Sequence, residues 1–144
     1  MTNARLAVMA IVVGGLTTGS ALEAVAGEAG GQTDLAAAGA QFLKSCGTCH
    51  TVEPKAEIRQ GPNLSGVIGR TAGTLAEFPT YSEALKKAGA GGLVWTEEAL
   101  DKWITASMEM VPDSAMPYSQ PDPEKRKLVI AYLKSLPVNG GGAK

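Results

Sequence analysis

The sequence predicts one all-α domain of about four helices, with long loops wrapped around a bound apolar group. Three observations carry that prediction. Helical stretches with cap residues recur along the chain, while no alternating run or hairpin dipeptide marks a strand. Nearly thirty residues, 51–79, show no sustained period of either kind, and a loop that long in a compact domain needs something to wrap. Finally, only two phenylalanines accompany 18 glycines and 8 prolines, which leaves a thin core for a domain of this size.

The elements follow in chain order. Residues 1–26 read as a cleaved secretory signal: Arg5 is the positive region, Leu6 to Val13 the apolar core, and Ala24-Val25-Ala26 the small-x-small cleavage pattern. An uncleaved anchor is the alternative, but glycines and threonines interrupt the apolar run short of the ~20 residues a span needs. Residues 27–38 form a Gly/Ala-rich lead-in, 39–137 the folded domain and 138–144 a flexible tail. A first helix spans "TDLAAAGAQFLKSC", capped by Asp34 or Thr33. "YSEALKKAG" makes a short helix ending at glycine. "WTEEALDKWITASM" makes a longer one, with Thr96 as N-cap, Glu97 and Glu98 against the helix dipole, and an apolar stripe of Leu100, Trp103 and Ile104. The irregular "EMVPDSAMPYSQPD" follows. Pro123 then opens the last helix, where Leu128, Tyr132 and Leu136 recur at helical spacing.

The formal net charge is −1 and is unchanged by signal removal, since Arg5 and Glu23 leave together. A nucleic-acid binder wants a basic face, so that class of partner is excluded. After signal cleavage no segment remains for stable membrane insertion.

All the soft ligands except methionine sit in five consecutive residues: Cys46, Cys49 and His50 in "CGTCH". Three chemistries compete for them. A Cys-x-x-Cys redox disulfide belongs near a βαβ pattern, which is absent here. A structural zinc site wants four ligands, and no second Cys/His pair exists. Cys-x-x-Cys-His is also the attachment motif of haem c. Two thiols three residues apart at a helix end can each form a thioether to one macrocycle, and the adjacent imidazole then faces the iron. A haem explains the long loops, and export fits because bacteria complete covalent haem attachment outside the cytoplasm. The reading is one covalently bound haem c with His50 on its iron.

With no second histidine, the remaining strong candidate for the other axial ligand is a methionine. Met1 and Met9 leave with the signal, so Met108, Met110 and Met116 remain. Met108, at a helix end, reads as packing or exposed. Met116 lies in "VPDSAMPY", where two prolines stiffen the loop and lower the entropy lost on presenting its sulfur. Its alternative role is a gap-filling core side chain.

From about Gly39 to Leu136 the sequence resembles class I cytochromes c, the family of the mitochondrial carrier and its bacterial relatives. The resemblance rests on "CGTCHTVE", "GPNLSGVIGRTAG", "YSEA", "VWTEEAL", "PDSAM" and "LVIAYLKSL", in the family's order. It implies the class I cytochrome c fold and several further roles. The Pro62 carbonyl would accept a hydrogen bond from the other ring nitrogen of His50. Arg70, Tyr81 and Trp95 match positions around the haem propionates. Gly39 and Tyr132 match the crossing of the first and last helices. There are departures as well. Leu85 stands where many members carry asparagine, and Trp103 where a tyrosine commonly approaches the methionine sulfur. Met108, Glu109 and Ala115 replace the docking lysines of mitochondrial-type carriers, so the docking edge is less basic.

The function these readings imply is a soluble, exported (bacterial periplasmic) monohaem carrier shuttling single electrons between a donor and an acceptor by transient docking. It is not itself an enzyme. The nearest alternative is the haem subunit of a periplasmic dehydrogenase oxidising a sulfur compound or an alcohol, with Met108, Val111 and Ala115 as a permanent apolar interface. A peroxidase or gas sensor requires an open sixth position, so that reading stands or falls with Met116.

Overall fold

The computed structural model describes residues 34–137. The signal segment 1–26, most of the lead-in and the 138–144 tail lie outside the described residues. Five helices follow in order: α1 Leu35–Ser45, α2 Glu83–Ala90, α3 Glu97–Thr105, α4 Ser107–Met110 and α5 Pro123–Ser135. Among the described residues the only β pairing is an isolated antiparallel bridge between Thr71 and Val94.

Local chemistry explains where these helices start. The Asp34 carboxylate accepts from the Ala36 and Ala37 amides, so α1 begins inside the 27–38 lead-in. The Ser82 hydroxyl accepts from Leu85 N at 3.3 Å, so α2 starts after Tyr81, which leaves that ring free to turn elsewhere. Thr96 caps α3 through Ala99 N at 3.1 Å, and Asp122 caps α5 through the Glu124 and Lys125 amides. Each cap satisfies amides that the helix cannot pair itself.

Packing of α1 on α5 dominates the helix contacts, and α3 also packs on α5. The first crossing is close because of Gly39. A Cβ there would lie 3.2 Å from Tyr132 Cε2, and the Tyr132 ring stacks on Phe42 with centroids 5.2 Å apart. Arg126 ties α5 to α3 through Asp101 at 2.7 Å.

Two expectations are corrected. The buried face of α5 is Val129, Ile130 and Leu133. Tyr132 and Leu136 pack only at the margin of the core, and Leu128 is half-buried. The helical period was right, but its phase was set by Leu and Tyr, whose long side chains reach the core from its flank. The third helix also does not continue through "ASM". Ala106 takes φ −161°, which ends α3 and starts the four-residue α4 on a new axis.

Candidate cofactor site

The loop from 51 to 80 and the segment from 111 to 120 close, with α1, α3 and α5, around one cavity of about 460 Å³. That volume falls within the ~300–1,000 Å³ of small-molecule and cofactor sites. Its wall holds all eight predicted site residues: Cys46, Cys49, His50, Pro62, Arg70, Tyr81, Trp95 and Met116. Leu85, Leu100, Trp103, Ile104, Val129 and Leu133 supply apolar surface. Among the described residues, Arg70 is the only Asp, Glu, Lys or Arg in the lining.

The motif comes off the end of α1 in a tight turn. Cys46 N bonds Phe42 O at 2.7 Å, and His50 N bonds Cys46 O at 3.0 Å. That turn presents both thiols and the imidazole to the cavity. His50 is only 7% exposed, and its Nδ1 lies 2.8 Å from Pro62 O. A carbonyl can only accept, so Nδ1 carries the proton and Nε2 keeps its lone pair for a metal. Burial lowers the His50 pKa, opposed by the Pro62 hydrogen bond, which keeps the ring neutral as a ligand must be.

Burial, with the neighbouring Cys49, pushes the Cys46 thiol up to about 11. Thiols of redox Cys-x-x-Cys motifs are pushed the other way, because the thiolate is the nucleophile. Among the described residues no group of three or more His, Cys, Asp or Glu side chains is placed to hold a metal ion.

A network around Asn63 shapes the loop. Its amide nitrogen donates to Thr51 Oγ1 at 3.1 Å and Glu53 O at 2.8 Å, and its Oδ1 accepts from Ser65 N at 2.8 Å. Arg70 donates from Nη1 to Asn63 O at 2.9 Å and from Nη2 to Ser65 O. Those bonds use two of the five guanidinium N–H groups, and the guanidinium also hydrogen-bonds the Tyr81 hydroxyl. Burial disfavours the Arg70 charge, an effect countered by the adjacent Tyr81 hydroxyl. Burial also raises the Tyr81 pKa against the pull of Arg70, so the phenol stays a neutral donor. Trp95 is buried, with its ring 5.3 Å from Trp103.

Met116 is partly buried against the core. Its backbone is held by Ser107 of α4, whose hydroxyl donates to Met116 O and accepts from Tyr118 N at 2.9 Å. Met108 is 41% exposed, and its sulfur accepts from Ser114 Oγ at 3.4 Å.

Two contributors were missed from the sequence. Gly61 lies beneath the imidazole, where a Cβ would stand 2.3 Å from His50 Cε1. The only clue was its place beside Pro62 in "GPNL". Ser107 gave no clue, since it fell inside the expected third helix, where a serine reads as solvated.

These residues fit a haem: two thiols for the macrocycle edge, a neutral imidazole and a thioether in one cavity wall, and a single cation among apolar surface for the propionates. The comparisons agree. A family model described as Cytochrome c matches residues 36–137. Cytochrome c2 of Afifella marina is 39% identical over 108 residues, covering 74% of this chain and 86% of that protein. Cytochrome c2 of Agrobacterium tumefaciens is 41% identical over 98 residues, covering 67% and 87%. The solved structure of cytochrome c2 from Rhodospirillum centenum superposes with a TM-score of 0.65 at 36% identity, covering 72% of this chain and 98% of that one.

Proposed function

The chain belongs to the cytochrome c family and is an electron carrier with one covalently bound haem c, and on that premise we propose that it is a soluble periplasmic carrier whose haem iron sits between His50 and Met116. The observation that carries this reading is the single cavity that gathers Cys46, Cys49, His50 and Met116. When bound, the haem supplies one-electron oxidation and reduction at iron, and His/Met ligation raises its potential relative to two imidazoles.

The chain's own residues do the rest. Cys46 and Cys49 would hold the macrocycle through thioethers. Pro62 O fixes the His50 tautomer and ring plane. Arg70, Tyr81 and Trp95 supply the donors that buried propionates require. Met116 would be the second iron ligand, which would leave no open site for peroxide or a gas. That separates a carrier from a peroxidase or sensor.

The donor and acceptor dock transiently, at the small end of interface sizes. Of the edge residues, Met108 and Ala115 are exposed. Val111 is buried at 7%, because it turns inward after α4, so the apolar edge is smaller than the sequence suggested. That weakens the reading of a permanent dehydrogenase subunit, for which obligate apolar contact is the support. Reductive titration of the purified protein should consume one electron per chain, and added peroxide should not be turned over. Peroxide consumption at a steady rate would contradict the proposal.

A further inference from the structure

We propose that Ser107 is the positioning residue of Met116: its hydroxyl pins the Met116–Pro117–Tyr118 backbone and so holds the methionine sulfur at the iron. The inference rests on the reading of Met116 as the axial ligand.

Ser107 is fully buried, at 0% exposure, yet it is not among the residues that line the cavity. It acts through its backbone neighbours. The break at Ala106 places Ser107 at the first position of α4, where the helix itself leaves the amide unpaired. That amide donates to Tyr118 O at 3.1 Å. The hydroxyl accepts from Tyr118 N at 2.9 Å and donates its one hydrogen to the Met116 carbonyl, the nearer of two acceptors, with the Tyr118 carbonyl 3.0 Å away. A single side chain thus holds the peptide after the methionine and the amide two residues on. Pro117 between them has a fixed φ and no N–H of its own, so the span has little other freedom.

Nearby ties act elsewhere. Gln120 N bonds Ile104 O at 2.8 Å, and the exposed Ser119 hydroxyl bonds Thr105 O at 2.8 Å. Both fasten the chain downstream of Tyr118 and leave Met116 to Ser107.

The test compares oxidised wild type, Ser107→Ala, Ser107→Thr and Ser119→Ala as holoproteins under conditions where all are folded. Two readouts are used: the weak long-wavelength sulfur-to-iron charge-transfer band, and the affinity for imidazole as competing ligand. Ser107→Ala should bind imidazole about tenfold more tightly, equivalent to ~1.4 kcal/mol, the size of one lost buried hydrogen bond. Its band should be weakened. Ser119→Ala should match wild type, and Ser107→Thr should restore both readouts. Ser107→Ala with wild-type band and imidazole affinity overturns the proposal.

Amide exchange in wild type reads the same coupling without a variant. When imidazole displaces Met116, the Tyr118 amide should exchange at least about tenfold faster while Gln120 keeps its protection. Equal protection of Tyr118 in both states overturns the proposal even if Ser107→Ala does not fold. A wild type with no band before imidazole fails the ligation reading itself, and takes this proposal with it.

Discussion

Adding one methyl group at position 61 probes how tightly the histidine is held. In Gly61→Ala the new Cβ would lie 2.3 Å from His50 Cε1, 2.7 Å from Nδ1 and 2.8 Å from Nε2. Carbon atoms pack at ~3.5 Å or more, so the ring or the loop must shift by about 1.2 Å. Neither retreat is free. Moving the ring breaks the 2.8 Å bond from Nδ1 to Pro62 O. Moving the loop breaks the 2.9 Å bond from Gly61 N to Cys49 O. Gly61 is not among the glycines with positive φ, so space rather than backbone conformation is at issue. Overpacking costs ~1–3 kcal/mol and a lost hydrogen bond ~0.5–1.5 kcal/mol, giving about 1.5–4.5 kcal/mol together. Urea denaturation of the holoprotein, followed by far-UV dichroism and haem absorbance, measures it. A loss under about 0.5 kcal/mol with an unchanged haem spectrum would refute the claim that Gly61 seats the imidazole.

Other expectations follow from the same contacts. Arg70→Lys keeps a charge but cannot reproduce the fork to Asn63 O and Ser65 O, so the urea midpoint should fall by an amount worth ~1–3 kcal/mol; an unchanged midpoint contradicts this. Hydrogen bonds from the Lys125 backbone and its neighbours hold Asp122 below the usual carboxylate range. The cap therefore stabilises α5 fully above the unfolded value of ~3.9, and this is lost as pH falls through the lower folded value. Asp122→Asn, which keeps a capping oxygen, should flatten the acid limb of stability, and an identical limb in both proteins would count against it. With Met108, Glu109 and Ala115 at the docking edge, stopped-flow electron transfer should depend weakly on ionic strength. Rates that collapse with added salt would show charge steering.

The legible parts of the site were local or punctuated. Cys46, Cys49 and His50 are adjacent, Pro62 follows in a short Gly-Pro motif, and caps such as Asp34 and Thr96 act within three residues. What escaped depends on distant partners. The phase of α5 is set by α1 and α3, and by where Val129 and Leu133 meet them. The break at Ala106 lets α4 receive Tyr118, eleven residues beyond Ser107, and nothing in "TASMEM" marks that pairing. The place of Gly61 beneath an imidazole eleven positions earlier is visible only once the loop closes.

The central claim is a haem iron held between His50 and Met116, and the optical spectrum of the oxidised holoprotein beside Met116→Ala tests it most directly. The account predicts a weak long-wavelength charge-transfer band in wild type that disappears in the variant, with the wild-type spectrum unmoved by peroxide. A wild type without the band, whose spectrum shifts on adding cyanide or peroxide, would contradict it and leave the sixth position open.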